Sequence, residues 1–267
     1  MDVGLELLVL KVTIAPLFIG AVSLIAQRYG HRAAGWLVAL PINTGTIVFI
    51  LTLTQGTAFA SSAALGALLG IVSLSAFVVG YARSAPRLPW SVCLAVAAGA
   101  FVASTFVLEQ APPFAALDLV GAVAAVVVAA TLLPKPASPV TPTSLPRWEI
   151  PLRMLTAAVL VVAITSTAEG LGPRLSGLLS PIPVFTITLV IFTHSRQGPA
   201  PVFVFLEGLL YGLFSFAAFC VVVGVTLVPF GLPGSFAAGL AAFFGVYALV
   251  RAFAAGRTRE PSSETST

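Results

Sequence analysis

Long apolar runs separated by short polar segments dominate the chain. Nine of these runs are long enough to cross the hydrocarbon core of a bilayer as α-helices, which takes about 20 residues each. The pattern therefore predicts an all-α polytopic membrane protein with about nine transmembrane helices. The predicted spans are 5–27, 34–54, 59–81, 90–108, 115–133, 151–169, 175–194, 201–228 and 235–253.

Two polar segments interrupt this pattern. Residues 134–148 are rich in Pro, Ser and Thr, which predicts an extended linker. The polar tail at 257–267 is predicted to be disordered. The predicted domains are therefore a first half at 1–133 with five helices, a Pro-rich cytoplasmic linker, a second half at 149–256 with four helices, and the tail.

Composition agrees with a membrane protein. Charged residues make up 8% of the chain and apolar residues 58%, whereas soluble domains carry about 25% charged residues. A soluble core of this size cannot bury so much apolar surface, so we expect the partner to be the lipid bilayer. The net charge of +4 is too small and too dispersed to predict nucleic-acid binding. The two cysteines, Cys93 and Cys220, lie in apolar runs and predict neither a disulfide framework nor a metal site.

The basic residues predict the orientation. With nine spans, the odd-numbered loops and the C-terminus share one side of the membrane, and the opposite side keeps only Arg174. By the positive-inside rule the N-terminus is outside and the C-terminus is cytoplasmic, in a bacterial inner membrane. Lys11 and Arg153 lie just inside helix ends, where long side chains can snorkel. The residues on the cytoplasmic side are Arg28, Arg32, Arg83, Arg87, Lys135, Arg147, Arg196, Arg251, Arg257 and Arg259.

An internal duplication appears when the chain is shifted by 142 residues. Five spans separate equivalent points, so the second copy is predicted to face the opposite way. Such inverted repeats are common in secondary transporters, although a duplication can also simply build a larger bundle. Matching pairs include Gly30/Gly172, Arg32/Arg174, Gly35/Gly177, Pro41/Pro183, Thr44/Thr186, Thr46/Thr188, Gln55/Gln197, Gly56/Gly198, Gly66/Gly208 and Gly70/Gly212.

The second copy carries the stretch Gly177-Leu-Leu-Ser-Pro-Ile-Pro183-Val-Phe185, followed by Ser195-Arg-Gln-Gly198. This spacing resembles the GlpM family of small bacterial inner-membrane proteins, which look like one four-helix copy of the duplicated unit. The resemblance implies an accessory role beside a membrane enzyme. The first copy departs from the pattern, because Asn43 stands at the position of Phe185. The layout of five plus four helices is also similar to that of drug/metabolite transporters.

Two prolines mark equivalent positions early in the second helix of each copy. A proline there leaves backbone carbonyls without their helical partner, and neighbours or a polar cavity must satisfy them. One interpretation is a pair of polar patches lining a midplane site; the other is that each proline starts a helix and the threonine hydroxyls bond to their own turn. The residues concerned are Pro41, Asn43, Thr44 and Thr46 in the first copy, and Pro183, Thr186 and Thr188 in the second.

Glu207 stands about six residues into a predicted apolar helix. A carboxylate at that depth is costly unless it is neutral, paired or facing water. It is predicted to couple a proton or cation, or to bind a cationic substrate. The alternative is a structural ion pair with Arg196, His194 or Lys11, or a position shallow enough to reach the headgroups.

His194 and Arg196 end the seventh predicted helix, where they either bind an anion or are interfacial basic residues. Two GxxxG patterns occupy equivalent positions and predict close helix packing. They are formed by Gly66 with Gly70 and by Gly208 with Gly212.

Signatures of soluble enzymes are missing, and no enzyme activity or cofactor is predicted. The preferred hypothesis is a secondary transporter-like protein for a small molecule or ion, with a midplane site between inverted repeats. The alternative is an accessory or scaffold protein that supports a membrane-associated enzyme. A homodimer or a partner membrane protein is compatible with either hypothesis.

Overall fold

The computed structural model describes residues 3–110, 115–141, 146, 148–163 and 183–257, with the backbone alone at 3–12, 43 and 253–257. The predicted all-α class is confirmed, because the described residues form helices and no strand. The helices are α1 (Val3–Tyr29), α2 (His31–Val38), α3 (Ile42–Gln55), α4 (Thr57–Ser84), α5 (Trp90–Leu108), α6 (Ala115–Leu132), α7 (149–163), α8 (Val184–Gln197) and α9 (Pro199–Arg257).

Four of the described helices, α4, α5, α6 and α9, are long and apolar enough to cross a membrane. In α5 and α6 only 17% of the most apolar window is buried inside the protein. Their outward side chains include Val102, Phe106, Leu117 and Val120, which are more than half exposed. Exposed apolar surface of this extent is what contact with lipid chains requires. The helices thus indicate a helical membrane protein.

The predicted span 34–54 is wrong as a single continuous helix. The structure divides it into α2 and α3, and helical structure is interrupted at residues 39–41. Pro41 precedes α3 with a ψ of 37°, outside the helical range. Proline has no N–H to donate to the preceding turn, so it starts a new helix more readily than it continues one.

The last two predicted spans, 201–228 and 235–253, both fall in α9. The helical path is broken at Gly231, whose φ of 67° and ψ of −176° are far from helical values. A positive φ favours glycine because it has no Cβ. Pro229 and Pro233 flank the break, so the two predicted helices follow one another with a sharp change of direction.

Helices α3 and α8 have matching bounds at the 142-residue offset. Each is 14 residues long, begins directly after a proline and ends at a glutamine. Each is followed by a glycine with positive φ, 90° at Gly56 and 80° at Gly198. The local structure therefore repeats with the same register as the sequence.

The chain forms two compact units that each combine segments of both predicted halves. The first unit comprises Met1–Leu40 and Gly66–Leu213, and within it α8 packs against α1, α2 and α5. The second unit comprises Pro41–Leu65 and Phe214–Thr267. Within it the ring of Phe236 lies edge-on to that of Phe219, with 6.0 Å between centroids.

Several predictions fall outside the described residues. Gly172, Arg174 and Gly177 lie in the segment 164–182, and the predicted disordered tail lies almost entirely at 258–267. The side chains of Lys11 and Asn43 are also not described. In the predicted linker, the residues described at 134–141 contain no helix.

Candidate functional site

An open cleft of about 540 Å³ lies within the first unit, where the junction of α1 and α2 meets the linker and the first turns of α9. Its volume falls within the range of small-molecule sites, about 300–1,000 Å³. No acidic side chain is among the described residues that line it. The lining residues are Tyr29, Gly30, His31, Arg32, Val204 and the linker segment 136–140.

Gly30 forms the corner of this cleft between α1 and α2. Its φ of 90° lies in the left-handed region, where a side chain would cause strain. The turn makes His31 and Arg32 the first two residues of α2. Both residues therefore line the cleft at the start of the helix.

His31 is buried and links the start of α2 to the end of α8. Its Nε2 donates to Oε1 of Gln197 at 3.1 Å. Burial lowers the pKa of His31 below its ordinary value, and the bond to Gln197 opposes this only in part. The imidazole is therefore neutral at pH 7, which leaves Arg32 as the cationic side chain among the described lining residues.

Arg32 forms an ion pair with Glu207 on α9. Nη2 of Arg32 donates to Oε2 of Glu207 at 2.7 Å, and the hydroxyl of Tyr211 donates to Oε1 of the same carboxylate at 3.1 Å. The side chain of Arg32 is 60% exposed and that of Glu207 is 28% exposed. Both charged side chains therefore keep exposed surface, and within the described part of the chain a single guanidinium nitrogen of Arg32 is engaged.

The predicted alternative partners of Glu207 do not include this arginine. Where an ion pair was expected with Arg196, His194 or Lys11, the structure places Arg32 beside Glu207, 175 positions away in the chain. Arg196 instead lies 3.9 Å from Glu149. The carboxylate is paired, as its depth in an apolar helix requires, but with a residue from the opposite half of the chain.

The Arg32–Glu207 pair is held by a close crossing of α2 and α9. A Cβ added at Gly208 would overlap the backbone carbonyl of Arg32, and one added at Gly35 would overlap the carbonyl of Phe205. At Gly212 an added Cβ would collide with the side chain of Ala39. Small residues allow this backbone approach, which brings the two charged side chains within hydrogen-bonding distance.

The GxxxG motif of Gly66 and Gly70 makes no comparably close backbone contact among the described atoms. A Cβ at Gly66 or at Gly70 would meet nothing within 4 Å. The two GxxxG patterns are equivalent in the sequence, yet the close crossing is seen in the described part of the chain only for Gly208 and Gly212.

A buried ion pair lies at the start of α7. Oε1 of Glu149 accepts hydrogen bonds from Nε and Nη2 of Arg153, at 3.1 and 2.6 Å. The two side chains are 1% and 2% exposed. The prediction that Arg153 snorkels to the membrane surface is therefore wrong, because its charge is satisfied inside the protein by the carboxylate one helical turn earlier.

Two basic residues at the end of α8 contact other helices or side chains of the protein. Arg196 is 45% exposed, and its guanidinium carbon stacks 4.7 Å from the ring centroid of Trp148. Nδ1 of His194 lies 3.0 Å from the buried hydroxyl of Tyr81 on α4. Both residues contact the protein, and neither lines the cleft.

Two of the threonines that follow Pro41 and Pro183 donate hydrogen bonds to carbonyls of their own helices. The hydroxyl of Thr46 donates to the carbonyl of Ile42, and that of Thr188 donates to the carbonyl of Val184. Thr186 is buried and Thr44 is half-buried. For Thr46 and Thr188 the geometry is the one expected when a proline starts a helix and the hydroxyls serve that helix.

Pro41 and Pro183 both directly precede helices, α3 and α8. Pro41 and the first-copy threonines belong to the second unit, whereas Pro183, Thr186 and Thr188 belong to the first. Their convergence on one midplane site stays a prediction. No group of three or more His, Cys, Asp or Glu side chains that could hold a metal ion occurs among the residues described.

Sequence reasoning missed three contributors to these interactions. Tyr81 carries no sequence signal, since its partner lies on a distant helix, whereas Tyr211 stands four residues after Glu207 on the same helix. Glu149 did have a signal, because an acid four residues before Arg153 on a helix is a favourable pairing distance.

The resemblance to the GlpM family, carried by the Gly177–Phe185 stretch, stays a prediction. Protein-family models, curated proteins and solved structures were all compared with the chain, and none of them matches it.

Proposed function

We propose that the chain is an integral membrane protein that binds and carries a small molecule or ion. The observation that carries this proposal is the cleft, which is lined by an exposed arginine that gives Glu207 one of its nitrogens. Small-molecule sites commonly combine a cleft of this size with a few such polar groups, which fix the orientation of the ligand.

The short helices that follow the two equivalent prolines support a carrier. The second predicted span is interrupted at Pro41, and α8 begins directly after the equivalent Pro183. Each of α3 and α8 has 14 residues, or about 21 Å at the usual rise, which is shorter than the hydrocarbon core of about 30 Å. Proline-interrupted helices at corresponding positions of two repeats are typical of transporter binding sites.

We also propose that the chain crosses the membrane nine times as two oppositely facing copies. The N-terminus then lies outside and the C-terminus lies in the cytoplasm of a bacterium. Three segments that this arrangement assigns to the cytoplasmic side are neighbours within the first unit. His31 bonds to Gln197, Arg196 stacks on Trp148, and Arg32 shares the cleft with residues 136–140. Loops on one membrane side can meet in this way.

The alternative function is a scaffold for a membrane-associated enzyme. Its specific support is the exposed Trp148 with Arg196, an aromatic and basic pair that a partner protein could contact. A scaffold, however, needs no cleft with an exposed cation. The carrier therefore accounts for more of the first unit.

A ligand screen tests the carrier. Purified protein is melted in the presence of cationic, neutral and anionic solutes, and a solute at a hundred times its Kd should stabilise it by about 2.7 kcal/mol. We expect at least one stabilising solute, and we expect Glu207→Gln to change its effect while folded yield stays unchanged.

Two outcomes would contradict the proposal. If no solute class stabilises the protein, the scaffold becomes the better account, and crosslinking should then capture a partner. If Glu207→Gln abolishes folded protein, the carboxylate has a structural role. Glu109→Gln, an exposed acid at the end of α5, is the matched control and should melt like the wild type.

A further inference from the structure

The charges around the cleft are predominantly positive. Arg32 lines it, Arg28 lies 5.7 Å from the ring centroid of the lining residue Tyr29, and the exposed Lys135 precedes the lining segment 136–140. Glu207, the acid that pairs with Arg32, is not among the lining residues. A solute in this cleft therefore meets an excess of positive charge.

The geometry of the Arg32–Glu207 pair leaves room for a second anion. Arginine presents five N–H donors in a planar fork that fits carboxylate and phosphate in a two-point contact. Among the described residues, only Nη2 of Arg32 donates, and it donates to a single oxygen of Glu207. A two-point contact is stronger than this one-point contact, so a suitable anion can compete with Glu207.

Glu207 can release Arg32 without losing all of its partners. Its other oxygen, Oε1, accepts the hydroxyl of Tyr211 one helical turn away. The carboxylate is 28% exposed, so solvent also reaches it. Release of Arg32 therefore does not leave a fully buried, unpaired charge.

We propose that the cleft binds an anion carrying a phosphate or carboxylate group, and that this anion takes Arg32 from Glu207. Glu207 then acts as an internal competitor that occupies the arginine while the cleft is empty. The proposal names the solute class of the proposed carrier and rests on that function. The anion belongs either to a soluble solute or to a lipid headgroup, and both present the same chemistry to Arg32.

Competition between Glu207 and the anion predicts opposite changes in anion affinity for two variants. Glu207→Gln removes the competitor, so phosphate and succinate should bind more tightly. The gain should reach about fivefold, the equivalent of a partly exposed ion pair. Arg32→Gln removes the guanidinium group that binds the anion and should abolish saturable binding. Arg32→Lys keeps the positive charge without the paired N–H donors and should bind with intermediate affinity.

The experiment is calorimetric titration of the full chain in phosphatidylcholine nanodiscs with inorganic phosphate and with succinate, at constant ionic strength. Arg83→Gln and Glu109→Gln, exposed charges at the ends of α4 and α5, are the matched controls and should bind like the wild type. A second set of discs contains phosphatidylglycerol. Weaker phosphate binding there identifies a lipid headgroup as the natural anion, and unchanged binding identifies a soluble solute.

Three results would overturn the anion site: no saturable binding by the wild type or by Glu207→Gln, equal binding by Arg32→Gln, or weaker binding after Glu207→Gln. Melting curves show that each variant is folded, since the Arg32 side chain is 60% exposed and its removal should leave the fold intact. A cationic or neutral ligand found in the general screen, together with failure of phosphate and succinate, would reject the anion site and keep the carrier.

Discussion

Replacing Arg153 by methionine is expected to lower the free energy of unfolding by about 3–5 kcal/mol. The substitution keeps much of the side-chain volume but leaves the Glu149 carboxylate, 1% exposed, without the two donors that satisfy its Oε1. Arg196, at 3.9 Å from the other oxygen, is too distant to replace them. A buried carboxylate that loses its hydrogen-bond donors is among the most costly changes a folded protein can carry.

A double variant distinguishes the stability that the ion pair contributes from the cost of leaving one charge without its partner. Replacing Glu149 by leucine and Arg153 by methionine removes both charges and should recover most of the loss, because apolar residues of similar volume often substitute well for a buried ion pair. Arg83→Met, on the exposed end of α4, is the control and should change stability by less than about 0.5 kcal/mol. Unfolding by SDS in mixed micelles measures all three, and a loss below about 1 kcal/mol for Arg153→Met would mean that the pair is solvated.

Gly208→Ala is expected to destabilise the first unit by about 1–3 kcal/mol. The added Cβ meets the backbone carbonyl of Arg32, which cannot rotate away as a side chain can, so α2 must move off α9. Gly35→Ala should have a similar effect through the carbonyl of Phe205. The double variant should cost less than the sum of the two, since one displacement of α2 relieves both collisions.

Gly99→Ala is the control for this crossing. Gly99 lies on the exposed face of α5, where an added Cβ meets nothing described within 4 Å. Alanine there should be neutral or slightly stabilising, because it forms helix more readily than glycine. If Gly208→Ala melts like Gly99→Ala, the close approach of α2 and α9 is wrong, and the Arg32–Glu207 pair loses its structural basis.

The helical framework was predictable because lipid-facing helices need only length and apolar character. The apolar runs located α4, α5 and α6 within a few residues. The break at 39–41 had a visible signal in Pro41, but a proline inside an apolar run is compatible with either a kink or a stop, and only packing decides between them. Helix α8 begins 142 positions after α3, at the offset of the duplication, whereas the apolar run alone predicted a span from 175.

The candidate site was less predictable because its partners come from distant parts of the chain. Glu207 was recognised as an unusual acid, yet Arg32 could not be chosen among the basic residues from spacing alone. The α2–α9 crossing that joins them depends on Gly35 as much as on the GxxxG motif. The threonines were predicted as ligand-binding from residue type alone, whereas the hydroxyl of Thr188 already gives its proton to a carbonyl of its own helix.

The proposed function places two oppositely facing copies of one unit in a membrane, and cysteine labelling tests this most directly. Gln55 and Ser195 are exposed polar residues near the ends of the equivalent helices α3 and α8. Neighbouring Gly56 and Gly198 are unsuitable, because their positive φ would strain a cysteine. The background replaces the two buried native cysteines, Cys93 and Cys220, by alanine.

A membrane-impermeant maleimide is applied to right-side-out and to inside-out vesicles. We expect Ser195→Cys to react only when the cytoplasmic face is exposed and Gln55→Cys to react only from the outside. Reaction of both cysteines from the same side, or recovery of the protein in the soluble fraction, would contradict it.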